Sequence, residues 1–483
     1  MNLAEYASYD GLGLAELVAK GDVSPHELAA AAALAIDVAN PKINAVVETY
    51  PDRIEDLNDA TLGDGPFRGV PFLMKDVFGH EAGRKIEFGS RLCEGMRAEI
   101  GTYFCESLKT AGVNIIGRSH APEYSMSATT ESAMYGNCSN PWMQGYSAGG
   151  SSGGAQAAVT SGIVPIAHGS DIGGSIRIPA SWCGGVGMKP SRGRVSIGPV
   201  MDENGWGYSV NLAQTKSVRD AAALLDCVCA PRPGDPFVIP RPSDSYVALS
   251  RADPPILKIG LVLDPLVGVP VDADVAEAVR AAGRVLADMG HDVEEAHVDI
   301  GGEATLAVTT DLFFFAFDSR LDAYAARAGR TVSPELLEPP IYGLYEHAKS
   351  ITPARFMEVL GQLNVVRRKL GAFYETYDIW LSPTTAKVAE PWGKYHLAKP
   401  GVTVENIADV LYREPVQFTI PHNIMGTPAI SLPLAMTTAG LPIGVQLAAR
   451  PGDDHLPLQL GAALEQAMPW ADRMPALHVS TMA

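Results

Sequence analysis

Two glycine–serine runs decide how this chain is read: Gly149-Gly150-Ser151-Ser152-Gly153-Gly154 and Gly169-Ser170-Asp171-Ile172-Gly173-Gly174-Ser175-Ile176-Arg177-Ile178-Pro179. The first run leads into the helix-like Ala155-Gln156-Ala157-Ala158-Val159. Glycines around a serine let the main chain turn tightly, expose the hydroxyl and aim several N–H groups one way. That arrangement suits an oxyanion and equally a phosphate. No lysine follows either run as a P-loop requires, and neither fits the dinucleotide fingerprint G-x-G-x-x-G. Ser175 stands in Gly-Gly-Ser-Ile-Arg rather than G-x-S-x-G, so a Ser-His-Asp esterase is unsupported, although the residues leave His168 and His422 open as bases.

A serine hydroxyl is a weak nucleophile at neutral pH and needs a base. A lysine can serve if burial lowers its pKa from about 10.4 toward the working range. Lys75 ends the apolar run Val70-Pro71-Phe72-Leu73-Met74, which would draw it inward, whereas a lysine following a strand is ordinarily a surface residue. Taken together, Lys75-Asp76 and the two runs resemble the amidase signature family of serine hydrolases, which cleave carbon–nitrogen bonds. Ser151 lies 76 residues after Lys75, and Ser175 a further 24 along. Gly69-Val70-Pro71, residues 184–194 and Gly426-Thr427-Pro428-Ala429-Ile430-Ser431-Leu432-Pro433 add to the likeness, which covers most of the chain and is weakest over about 230–410.

The resemblance implies one catalytic domain over 1–483, with a helical segment at 1–45 and a variable, substrate-shaping region at about 230–410. It implies an α/β fold with a large mixed twisted sheet flanked on both faces by helices. In its terms Ser175 is the nucleophile, Ser151 the proton relay, with a cis peptide at that serine, and Lys75 the base. The backbone N–H groups of Ile172, Gly173, Gly174 and Ser175 form the oxyanion hole, and no cofactor or metal takes part. Ser170 stands where the family often has threonine, and its hydroxyl could still reach the triad.

Among the neighbours, Asp171 and Arg177 carry opposite charges on either side of the nucleophile and are expected to pair and brace the loop, and Ser152 to support the turn. Cys138 and Cys183 read as packed, inert thiols. Tyr124, Met126, Ser127, Phe317 and Ile420 are candidate pocket walls, although the run Phe313-Phe314-Phe315-Ala316-Phe317 also suits plain helix packing. Ile178-Pro179-Ala180-Ser181-Trp182-Cys183-Gly184, Arg232-Pro233-Gly234-Asp235 and Pro442-Ile443-Gly444-Val445-Gln446 look like the branch of bacterial 6-aminohexanoate cyclic-dimer hydrolases. That branch also resembles enzymes acting on aryl amides and carbamates, and Met126 departs from the polar residue expected at a lactam-dimer site. The function implied is hydrolysis of small neutral amides, cyclic amides or carbamates. Its alternatives are a tRNA-dependent amidotransferase subunit that releases ammonia from glutamine for a partner, and an idle binding protein.

Composition bounds the rest. The 483 residues are 47% hydrophobic and 19% charged, enough apolar content for a large core. A formal charge of −18 with no basic run makes nucleic acid and anionic membranes poor partners. Six cysteines without a C-x-x-C pair suggest reduced thiols, and the N-terminal stretch lacks the pattern of a secretory signal. A cytoplasmic enzyme, with a homodimer as the assembly to test, is the resulting expectation.

Periodicity places helices at 11–20, from Ser24 to Asn40, at 101–112, 271–289 and 456–468, the fourth with Val275, Val279, Ala282, Leu286 and Met289 on its buried face. Strands fall at 70–74, 113–117, 257–263, 379–381, 429–434 and 444–448, and the alternation argues for α/β architecture. The stretch 136–207 reads as a loop-rich centre. The seven prolines between Cys229 and Pro255 read as a surface connection that either separates two domains or lets late strands return to the first sheet.

Overall fold

The computed structural model describes residues 1–200 and 205–482. In chain order its strands are β1 (Val46–Thr49), β2 (Pro71–Lys75), β3 (Asn114–Ser119), β4 (Glu131–Ser132), β5 (Gly136–Asn137), β6 (Ile166–Asp171), β7 (Val186–Lys189), β8 (Val210–Thr215), β9 (Lys258–Leu261), β10 (Asp292–Glu295), β11 (Ile379–Pro383), β12 (Ala429–Met436) and β13 (Pro442–Ala449). Eleven of them form one sheet in the order β1-β3-β2-β6-β8-β7-β12-β13-β11-β9-β10, while β4 and β5 pair separately. β2 runs parallel to β3 and β6, and β9 parallel to β10 and β11; the remaining pairs are antiparallel. The late strands therefore return to the sheet begun by β1–β3.

Side-chain alternation sorts this sheet into two apolar layers. On β11, Ile379 and Leu381 enter one core and Trp380 the other. The first core takes Leu28, Ala32 and Ile36 from the helix Pro25–Ile43 and Val275, Val279 and Leu286 from the helix Ala273–Asp288. The second takes Phe314, Leu321, Leu344 and Leu363 from the helices between 302 and 376. Helices thus cover both faces, the mixed α/β arrangement expected.

The helix Pro25–Ile43 opens on a complete capping box: Glu27 N–H donates to Ser24 Oγ at 3.2 Å and Ser24 N–H donates to Glu27 Oε2 at 2.8 Å. It continues through Pro41, three residues past its expected end at Asn40. Met289 is not core: the helix ends at Asp288, Gly290 takes a left-handed turn (φ 99°), and Met289 is exposed. The stretch 136–207 is richer in regular structure than its glycines suggest. It holds the helix Gly153–Thr160, β6, the helix Arg177–Cys183 and β7, while 201–204 lie outside the described residues. β6 reads Ile-Ala-His-Gly-Ser-Asp and is buried throughout, so its polar residues hide a central strand from any hydrophobicity argument. The proline-rich connection lies largely at the surface and includes the short helix Tyr246–Arg251.

Candidate active site

β2 and the neighbouring β6 are parallel and deliver Lys75 and Ser170-Asp171 to the same edge, at the carboxyl ends of both strands. Lys75 is fully buried (0% exposed). Its Nζ donates to Ser151 Oγ at 2.7 Å and to Ser170 Oγ at 2.9 Å. Burial lowers its pKa from 10.5 to about 7, against the opposing pull of the Asp171 charge.

Ser151 sits just ahead of the helix Gly153–Thr160, and the Gly150–Ser151 peptide bond is cis. Thr130 clamps this turn: its hydroxyl donates to Gly149 O at 2.8 Å and accepts from Gly153 N–H at 3.0 Å. A side chain at Gly150 would put its Cβ 2.5 Å from the Thr129 backbone nitrogen, so the close approach of the two loops requires glycine there. Ser152 ties three segments together. Its hydroxyl exchanges contacts of 3.3 Å with the backbone of Ser170, and its N–H donates to Ser175 O at 3.2 Å.

After β6 the chain turns through residues 172–176 into the helix Arg177–Cys183. Burial alone would raise the Asp171 carboxyl; the Arg177 charge and hydrogen bonds outweigh it and hold the group at about 2. Arg177 Nε and Nη2 reach the two carboxylate oxygens at 3.0 and 2.9 Å, and the guanidinium also donates to Thr419 O, Gln446 Oε1 and Asn423 Oδ1. The pair is therefore a brace with its donors committed to protein acceptors, away from the cleft.

The same carboxylate alters the expected oxyanion hole. Gly174 N–H donates to Asp171 Oδ1 at 2.8 Å, so this amide is spent on the loop's own staple. The N–H groups of Ile172, Gly173 and Ser175 carry no such commitment and remain available. Gly174 has φ 136°, and a Cβ there would lie 2.4 Å from Thr419 Oγ1.

Ser175 is 8% exposed, borders a cleft of about 590 Å³ (its open mouth included), and its hydroxyl makes no hydrogen bond. Met126, Ser127, Ile172, Gly173 and Ile420 line this cleft too. Tyr124 and Phe317 do not. Tyr124 is packed behind the wall in a cluster with the near-parallel rings of Phe88 and Tyr324 and with Phe317 edge-on, and its hydroxyl contacts Cys93 Sγ at 3.3 Å. The phenylalanine run breaks at Ala316 (φ 58°), so Phe317 starts a new helix facing the core while Phe313 faces the cleft; Phe314 borders the cleft but is itself core, edge-on to Phe317. Leu306, Thr309, Thr310, Tyr412 and Val416 complete the wall, and nothing in their local sequence announced it. No charged side chain lines the cleft among the described residues.

The other candidates fall away from the chemistry. His168 accepts from Lys75 N–H at 3.3 Å through Nδ1, and burial lowers its pKa to about 3; His422 contacts Thr427 Oγ1 at 3.0 Å and is likewise held neutral by burial. Neither borders the cleft. All six cysteines are free, and burial raises the Cys183 and Cys138 thiols. Among the described residues no group of three or more His, Cys, Asp or Glu is placed to hold a metal ion, and no helix is long and apolar enough to cross a membrane.

The whole chain has well-matched relatives. The amidase family model matches residues 27–458. The 6-aminohexanoate-cyclic-dimer hydrolase of Paenarthrobacter ureafaciens is 35% identical over 481 residues, covering 97% of this chain and 96% of that protein. An acylamidase of Rhodococcus erythropolis is 32% identical, covering 96% of each. The solved structure of a 6-aminohexanoate cyclic dimer hydrolase superposes with a TM-score of 0.93 at 35% identity, over 98% of this chain and 99% of that one. A family match over most of the chain, together with full-length relatives that share its sheet and helices, places it among enzymes that hydrolyse carbon–nitrogen bonds: the chain belongs to the amidase family.

Proposed function

We propose that this amidase is a Ser-Ser-Lys hydrolase of small, neutral, largely apolar amides (aryl or alkyl amides, cyclic amides or carbamates) acting through an acyl-enzyme. Ser175 Oγ attacks the carbonyl carbon while its proton passes through Ser151 Oγ to the neutral Lys75 Nζ. The carbonyl oxygen becomes an oxyanion facing the Ile172, Gly173 and Ser175 N–H groups; one such donor contributes about 3 kcal/mol in related chemistry. The tetrahedral adduct collapses, the C–N bond breaks, and the proton returns by the same relay to the departing nitrogen. Water, deprotonated along the relay, then attacks the ester carbon and releases the acid, restoring Ser175.

One observation carries this reading: a fully buried lysine whose amine touches Ser151 at 2.7 Å, beside a cleft into which an unbonded serine hydroxyl opens. Burial that lowers its pKa toward neutrality makes such an amine a competent base near pH 7. The cleft favours uncharged substrates, since charge would be desolvated against Ile178, Leu306, Phe313 and Ile420 without a partner. Glutamine, the substrate of the amidotransferase alternative, would bring an ammonium and a carboxylate to that wall. Relatives named as a cyclic-dimer hydrolase and an acylamidase support the amide classes, not a choice between them.

A fluorophosphonate should label the enzyme covalently, with the adduct mapped by mass spectrometry to Ser175 and lost in Ser175→Ala. An adduct on another residue would reject the assignment. A panel of alkyl amides, anilides, lactams, carbamates and glutamine then ranks substrates, and turnover of glutamine above the neutral amides would favour the amidotransferase reading.

A further inference from the structure

The cleft wall contains a second hydroxyl with no assigned task. Ser127 donates to Tyr395 O at 3.0 Å, Thr309 to Thr305 O at 2.6 Å, Thr310 to Leu306 O at 3.1 Å and Tyr412 to Met126 O at 2.7 Å. Among the hydroxyls of the described lining residues, only those of Ser175 and Ser125 make no hydrogen bond. Ser125 is 8% exposed, and its Oγ is shut away from solvent without a protein partner. Ser119, Tyr208, Tyr246 and Tyr374 also keep buried hydroxyls without a hydrogen-bond partner, but of these residues Ser125 alone lines the cleft.

The segment that carries it is held firmly. Tyr124 and Ser125 both adopt left-handed backbone (φ 48° and 60°), a conformation that residues with side chains avoid unless the surroundings impose it. Here they do: Tyr124 N–H donates to Phe88 O at 2.8 Å, Ser125 N–H to Pro122 O at 2.9 Å and Met126 N–H to Glu123 O at 3.0 Å. The Glu123 carboxyl group anchors the turn from behind, accepting from Ser90 Oγ at 2.5 Å and from Glu338 N–H at 2.8 Å. A strained turn fixed on several sides, whose serine lines an apolar cleft and keeps a buried hydroxyl without a partner, has the character of a pre-organised ligand contact.

We propose that Ser125 is a specificity-determining residue, whose hydroxyl hydrogen-bonds a second polar group of the substrate, the carbonyl or N–H of an amide or carbamate other than the one cleaved. The inference rests on Ser175 as the nucleophile and adds a substrate class: amides bearing a second such group are selected over hydrocarbon isosteres of the same length. A hydroxyl both donates and accepts, so either atom of the second group can be met.

Two matched pairs of substrates test it. One compares the 4-nitroanilides of 4-acetamidobutanoic and heptanoic acids, so that the second amide lies on the acyl side. The other compares hexanoyl anilides carrying 4-acetamido or 4-propyl substituents, which puts it on the amine side. Wild-type enzyme should favour the polar member of one pair by about tenfold in kcat/KM, mainly through KM. In Ser125→Ala that ratio should collapse toward one. Ser125→Gly, which accepts the left-handed backbone without strain, should collapse it equally and so separates the hydroxyl from the turn geometry. A wild-type enzyme without preference in both pairs, or a ratio surviving in both variants, overturns the proposal. Loss of the ratio in Ala but not in Gly overturns it too, because the backbone alone would then be responsible. Fluorophosphonate labelling run in parallel reports on the nucleophile: absence of an adduct at Ser175 in wild type indicts the underlying reading, whereas normal labelling with unaltered ratios indicts Ser125 alone.

Discussion

At Lys75, burial and the surrounding polar groups act in opposite directions on one proton. Removal from water favours the neutral amine, while Asp171 and the two hydroxyl acceptors favour the ammonium. Only the neutral form can take a proton, so kcat/KM should climb with pH through a midpoint near 7 and level off above it. A profile flat from mildly acidic to alkaline pH would remove Lys75 as the base. Lys75→Ala should lower kcat by about 10³-fold or more with the fold intact by circular dichroism, and Lys75→Arg should not restore it, since a guanidinium stays charged. Ser170 supplies the second acceptor. Its replacement by alanine withdraws a partner of the ammonium and should move the same midpoint to lower pH. An unmoved midpoint would show that Ser170 leaves the lysine unaffected.

Between elements, the parallel pairing of β2 and β3 sets Arg118 beside Met74 in register, one residue from Lys75. From there its guanidinium bridges Asp76, Glu87 (2.5 Å) and Glu48 (2.6 Å), joining β3 to β1 and to the loop that follows β2. Taking away one partner of a buried ion network leaves the other charges uncompensated. Arg118→Met should therefore destabilise the protein by about 3–5 kcal/mol, read as a fall in the urea midpoint at unchanged slope. A loss within about 0.5 kcal/mol would mean that solvent or other donors satisfy these carboxylates. Much at this scale was legible beforehand. The Ser24/Glu27 capping box is local chemistry, and the buried stripe of Val275, Val279 and Leu286 follows from helical periodicity. β6 was not legible, because His168 and Ser170 are satisfied by Lys75, Asn211 and Ser152, and Asp171 by Asn423 as well as by its near neighbour Arg177, partners mostly remote in the chain.

Across the whole molecule, a formal charge of −18 surrounds a cleft whose described lining carries no charge. Both features disfavour anionic substrates, by different physics. The net field acts over distances that salt screens, whereas desolvation against an apolar wall is indifferent to salt. A neutral anilide is expected to exceed its carboxylate-bearing analogue by about 100-fold in kcat/KM, a gap that persists at about 0.5 M salt. If added salt closed the gap, the overall field rather than the cleft would be the selector. The cleft itself could not be read from any one stretch, since its walls come from residues 125–128, 172–178, 306–314 and 412–420. Phe313 and Phe317 belong to one run yet face different surroundings, because the chain breaks at Ala316.

Residue order alone located the tight turns around Ser151 and Ser175, because glycine conformational freedom acts within a few residues; the apolar run before Lys75 left that lysine open to an interior or a surface place. Residue order also carried the family likeness in the motifs around Lys75, Ser151 and Ser175. Tertiary structure alone decided which groups are left free to act. Gly174 loses its amide to Asp171 because Arg177, Asn423 and Thr419 lock that carboxylate and loop in place, and Ser125 stays unbonded because its neighbours' hydroxyls found carbonyls and its own did not. Availability of a donor or acceptor is settled by everything packed around it, and those neighbours come from segments hundreds of residues apart.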